Sequence, residues 1–185
     1  MWPWGHFAVA YLLYTAYTYR TLDRPPRALP AVAVAVGSQF PDLIDKPLAW
    51  SFGVLPGGRT FTHSLFVAAL LVPAVYTVTT RLGRRQIGLA FLVGHLSHLV
   101  ADLPLSALRG DVSGAAYLLW PAVEQPSETS VDGIIDAILH YYSMGPYETF
   151  QFGLFAAAVL LWIRHGMPGL RVPYTVLEHR LNPRH

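Results

Sequence analysis

The chain has 185 residues, of which 53% are hydrophobic and 13% charged, with a mean hydropathy of +0.37. The charged share is about half that of an ordinary soluble domain, so a single membrane-embedded domain over 1–185 is expected. The absence of cysteine excludes disulfides and thiolate metal sites, and a net charge of +2 gives no electrostatic footprint for nucleic acid.

The opening stretch "MWPWGHFAVAYLLYTAYTY" has no basic n-region and no small-residue cleavage site, and is read as a first helix rather than a signal peptide. Five apolar segments follow one another at roughly 5–19, 28–44, 63–80, 87–107 and 149–164. Several are short for about 30 Å of hydrocarbon, so tilt or local thinning is expected. Helix is the state such segments adopt in lipid, where every backbone N–H and C=O must be satisfied internally. The expected fold is therefore all-α, an integral-membrane bundle of about five helices. Pro73 should kink the third segment, and Pro41 should open a new turn after the second.

Basic residues set the expected orientation. Arg20, Arg24 and Arg27, then Arg81, Arg84 and Arg85, then Arg164, Arg171, Arg180 and Arg184 fall on one side. Lys46, Arg59 and Arg109 fall on the other. An N-out, C-in protein of the cytoplasmic membrane follows, with 165–185 as a cytoplasmic tail. The long connection 108–148 then lies outside. Within it, "YLLWP" (117–121) can dip into the interface. "SVDGIIDAILHYY" (130–142) reads as an amphipathic helix capped by Ser130, either lying on lipid or packed on the bundle.

Ionisable residues collect at that outer face: His6 in the first segment, Asp42 and Asp45 in "GSQFPDLID", Arg59 and His63 in "GGRTFTHS", and His95, His98 and Asp102 in "GHLSHLVAD". His98 and Asp102 are i, i+4 and share a helical face, with His95 one turn before. Such groups are expensive in a membrane helix and are usually paired or functional. A structural His–Asp hydrogen bond explains that pair taken alone. Carboxylates and imidazoles converging from four segments instead make a metal site, and oxygen and nitrogen donors without sulfur suit Zn, Mn or Fe, Zn first for hydrolysis. His140, His165, His179 and His185 lack such company and read as surface residues. Ser64 and Ser97 read as neighbours of the histidines rather than nucleophiles.

Through these residues the chain resembles the YdjM-like family of membrane-bound metal-dependent hydrolases. The family's early His, G-x-x-x-P-D-x-D-like stretch, R-x-x-T-H-S, G-x-x-S-H-x-x-x-D helix and downstream W-P read here as His6, "GSQFPDLID", "RTFTHS", "GHLSHLVAD" and "LLWP". The resemblance covers about residues 1–125, and it rests on the order and spacing of motifs that are individually weak. The family is distantly similar to zinc-dependent phospholipases C and single-strand nucleases, which share an all-α fold and a polynuclear zinc site. The resemblance implies His6, Asp42, His63, His98 and Asp102 as ligands, with Asp102 able to bridge two ions. Asp45 stands three residues after Asp42 rather than two, which leaves it between ligand and neighbour. His95 is not required by the pattern. No later H-x-x-x-E helix is present, "HYYSMGPYE" (140–148) having the residue types without the spacing, so one or two metals are expected.

The chemistry expected of such a site is attack of a metal-activated water on a phosphoester. Asp42 or Asp45 would accept the proton, and Arg59 would bind phosphate or simply snorkel to the interface. A membrane lipid or lipid-linked substrate suits the depth of the site. A non-catalytic protein with a structural metal site and an ion-handling transporter are the rival classes.

Overall fold

Pro3 and Pro146 each open a helix, because a proline at the first turn gives up an N–H that would have no intrahelical partner. The computed structural model describes residues 1–125 and 145–170, and among them all regular structure is helical. Helix α1 (Pro3–Leu22) stops at Asp23, which is left-handed at φ 48°. Helix α2 (Ala28–Lys46) follows and passes into a π-helical turn, Pro47–Ser51. Helix α3 (Leu65–Arg81) is capped by Ser64, whose Oγ accepts from the Phe66 N–H at 3.1 Å. Helix α4 (Arg85–Ala101) leads into two 3₁₀ turns, Leu105–Arg109 and Ser113–Leu119. Helix α5 (Pro146–Arg164) starts where the Gly145 N–H donates to the Glu148 carboxylate at 2.9 Å.

Two boundaries differ from expectation. Pro41 does not open a new turn but lies inside α2, which is unbroken from Ala28 to Lys46. The buried proline is tied from outside the helix, its carbonyl accepting the Thr62 hydroxyl at 3.1 Å. The fourth helix ends at Ala101, well before the expected 107. Leu103 precedes Pro104, and a residue before proline is disfavoured in the helical region. Pro73 sits within a continuous α3. "YLLWP" ends the second 3₁₀ turn, and the helix expected over 130–142 lies outside the described residues, as does 171–185.

The packing follows from two glycines. A Cβ on Gly37 would fall 2.5 Å from the Phe91 carbonyl oxygen, and one on Gly94 would fall 2.6 Å from that of Val34. Their absence lets α2 and α4 cross backbone to backbone, as small residues do in membrane bundles. The two helices run in the same direction, and α1, α3 and α5 run the other way. Ala8, Tyr11, Tyr14, Val34, Ala90 and Phe91 fill the core. Large apolar side chains point outward as well, including Leu70 at 77%, Leu160 at 68% and Leu43 at 65% exposure. By length and composition α5 can cross a membrane, and α3 is apolar but shorter. Helices α1 and α2 have the length but carry inward-facing Tyr, Thr, His and Asp that dilute their hydropathy.

This alternation puts the α1–α2 and α3–α4 turns, with Arg20, Arg24, Arg27, Arg81, Arg84 and Arg85, at one end of the bundle. The start of α1, the ends of α2 and α4, and the 52–64 connection meet at the other.

Candidate metal centre

The close α2–α4 crossing has a direct chemical result. It brings His98 Nδ1 to 2.7 Å from the Ser38 carbonyl oxygen. An acceptor there fixes the Nδ1–H tautomer and turns the Nε2 lone pair inward. His63 is oriented in the same way by the 52–64 connection. Its Nδ1 lies 2.8 Å from Asp45 Oδ2, and Asp45 in turn accepts from the Thr60 N–H at 3.0 Å, the Thr62 N–H at 2.9 Å and the Thr62 hydroxyl at 2.7 Å. A carboxylate behind a histidine is the arrangement that orients metal-bound imidazoles.

With both Nδ1 atoms committed, the two Nε2 atoms face each other at 3.1 Å. Two lone pairs at that distance repel unless a proton or a cation lies between them. Asp42 Oδ1 is 3.6 Å from His63 Nε2 and 3.7 Å from His98 Nε2, and Asp102 Oδ2 is 3.6 Å and 3.9 Å from the same atoms. Asp42, His63, His98 and Asp102 thus offer four ligand atoms within 4.8 Å of one another, all from buried residues. Asp42 Oδ1 has no hydrogen-bond partner. Two nitrogens and two oxygens at this spacing could hold a metal ion.

The charge balance gives the same reading. Burial alone would lower the pKa of His63, but Asp102, Asp42 and Asp45 around it outweigh that and push it up to about 10. The proton held there fills the gap between the imidazoles that a metal would otherwise fill. Lys46 Nζ reaches Asp42 Oδ2 at 2.6 Å, Arg59 Nε reaches Asp102 Oδ2 at 2.9 Å, and the Met1 amino group reaches Asp102 Oδ1 at 2.5 Å. Both carboxylates are thus paired with cations of the chain itself.

The remaining expected residues fall into distinct places. His6 stacks on His98, with ring centroids 3.7 Å apart, and its Nε2 lies 3.2 Å from Asp102 Oδ1. Asp102 therefore presents one oxygen toward His6 and the other toward the His63–His98 pair. Asp45 is wholly buried with its lone pairs taken by Thr60, Thr62 and His63, a placement that leaves it no room to act as ligand or base. His95 is not in the group; it lies against Phe91 and Phe40, at 5.9 and 6.1 Å, with no hydrogen-bond partner at either nitrogen. Arg59 is anchored on Asp102 with nearly half its side chain exposed. Ser64 donates to the Trp120 carbonyl at 2.5 Å, and Ser97 to that of Gly94 at 3.0 Å, so neither hydroxyl faces the centre. His165, read as a surface residue, instead lies between the Tyr11 and Tyr19 hydroxyls at 3.0 and 3.2 Å.

Sequence reasoning missed Ser38, Lys46, Thr62 and Tyr117. Ser38 and Lys46 flank Asp42 by four residues on either side, so the helical repeat carried a signal for both. Thr62 directly precedes His63. Tyr117, whose ring meets His63 edge-on at 6.1 Å, had no such signal.

Neither the curated proteins nor the solved structures contain a match to this chain. A family match does exist and spans most of it: over residues 1–169 the sequence matches, and the chain belongs to, the YdjM inner membrane protein family.

Proposed function

We propose that the protein is a membrane-bound metal-dependent hydrolase acting on a phosphoester, with lipid or a lipid-linked compound as substrate. The observation that carries this reading is the 3.1 Å approach of two Nε2 atoms whose Nδ1 partners are both committed. His63, His98, Asp42 and Asp102 would hold one divalent ion, Zn by preference, and His6 with the second oxygen of Asp102 would contribute to another. When bound, such an ion supplies a Lewis acid that generates hydroxide near neutral pH and polarises a phosphoryl group.

The chain's own residues divide the other tasks. Asp42 Oδ1, lacking a hydrogen-bond partner, is open to the metal, and Lys46 holds the second oxygen at 2.6 Å. Arg59, half exposed at the rim, binds phosphoryl oxygens and offsets developing negative charge. Asp45 and Ser38 hold the imidazoles in register. A cleft of about 580 Å³ along α1, α4 and α5, lined by Leu13, Leu92, Leu96, Val100, Ala101 and Phe150, offers room for an acyl chain.

The helices, at 17 to 20 residues, are about 26–30 Å long. Together with their outward apolar side chains and the family's membrane location, this supports a five-helix bundle spanning the cytoplasmic membrane. The basic end would be cytoplasmic and the metal centre near the outer surface. A reporter fused after residue 110 should read outside, and a cytoplasmic signal there contradicts the orientation.

The function is tested by following release of the phosphorylated headgroup from lipid phosphoesters in detergent micelles. The expected result is turnover that a chelator abolishes and Zn restores. Metal bound without turnover of any phosphoester would instead favour a structural metal site.

A further inference from the structure

Tyr117 is a buried residue, 4% exposed, on the 3₁₀ turn Ser113–Leu119. Its ring stands edge-on to His63, and the phenol is within electrostatic reach of Asp102 and Arg59. Its hydroxyl is buried without a hydrogen-bond partner among the described residues. A buried hydroxyl with nothing to bond is disfavoured, and such groups are few in folded proteins. The turn is anchored just beyond it at Trp120, whose carbonyl accepts from Ser64 at 2.5 Å and whose ring meets Phe61 edge-on at 6.2 Å. The strap that carries Tyr117 is thus fastened to the residue directly after His63.

We propose that the Tyr117 hydroxyl donates a hydrogen bond to a phosphoryl oxygen of the ligand at the metal centre, beside the Arg59 guanidinium. The inference rests on the hydrolase reading for its ligand class, a tetrahedral phosphate oxyanion. A phenol titrates at about 10 in water, and burial raises this one further, so the donor proton is present at physiological pH. A neutral donor beside Arg59 stabilises charge that develops on a phosphoryl oxygen without competing for the metal carboxylates.

The test uses the full chain loaded with Zn and inorganic phosphate as the probe, comparing wild type with Tyr117→Phe by calorimetry and thermal unfolding. Phe keeps the ring packing and removes only the hydroxyl. The expected result is unchanged Zn content, an unfolding temperature equal to or above wild type, and phosphate affinity lower by roughly tenfold. Where turnover is measurable, kcat should fall about 10²-fold, the loss typical of one oxyanion donor. Phosphate affinity unchanged in Tyr117→Phe overturns the inference, whether or not the variant unfolds earlier. So does wild-type protein that binds Zn but no phosphate. Tyr117-dependent phosphate binding without turnover would keep this anion site and defeat the hydrolase reading; full turnover in Tyr117→Phe would do the reverse.

Discussion

Each end of the bundle holds histidine, and the two ends use it in opposite ways. Near the basic end, His165 is bracketed by two phenols, Tyr11 on Nδ1 and Tyr19 on Nε2, so both nitrogens are occupied from within the protein. At the other end, His63 and His98 each have one nitrogen held by a fixed acceptor, and the second nitrogens converge with two carboxylates. His95 is a third case, buried between aromatic rings with no partner at all. Burial of an imidazole therefore does not mark a ligand. The mark is a committed Nδ1 that leaves Nε2 pointing at other donors.

The comparison can be broken most severely at the crossing that creates it. Gly94→Leu would drive a side chain into the Val34 carbonyl and Ser38 N–H of α2. It should cost about 3 kcal/mol or more in thermal unfolding and remove metal binding along with it. Gly153→Ala, a helical glycine with open space around it, should leave both unchanged. Next comes the carboxylate behind His63. Asp45→Asn should weaken metal affinity roughly 10–100-fold in a competition titration while leaving the ligands in place.

The proton on His63 gives a third and smaller handle. In the metal-free protein its raised pKa contributes stability in full below about 6.5, and that contribution is lost as pH rises through about 10. Metal binding must displace this proton, so affinity should rise about tenfold per pH unit between those values. Proton release measured on metal addition checks the sign, and affinity independent of pH would count against it. The smallest effect belongs to the opposite end. His165→Phe should cost at most about 1 kcal/mol, for two partly exposed hydrogen bonds, and leave metal content untouched.

The amino-acid pattern carried the convergence, because four segments placed His6, Asp42, His63, His98 and Asp102 at one end once the helices alternated in direction. It also placed Asp45 and His95 nearby; the family pattern set His95 aside but left Asp45 between ligand and neighbour. Helical phase does not set His95 apart, because the seven-residue step to Asp102 leaves the two only about 20° apart around the helix. Depth does: about two turns before Asp102, His95 lies against Phe40 and Phe91. Asp45 needed knowledge of a loop, since its partners are backbone groups of Thr60 and Thr62 that no spacing rule locates. Pro41 misled for a related reason, as the Thr62 hydroxyl bonded to its carbonyl comes from 21 residues away. Tyr117 lies on a 3₁₀ turn without periodicity, and only the tertiary placement of that turn over His63 makes it visible.

The central claim is that the His63–His98 pair, with Asp42 and Asp102, binds a divalent metal. Elemental analysis of the purified full chain, after loading with Zn, Mn or Fe and removal of excess, tests it most directly against His98→Ala. Wild type should retain at least one ion per chain and the variant should lose it, with His165→Phe retaining as much as wild type. Wild-type protein that retains none of the three metals, or a His98→Ala variant that retains as much as wild type, would contradict the account.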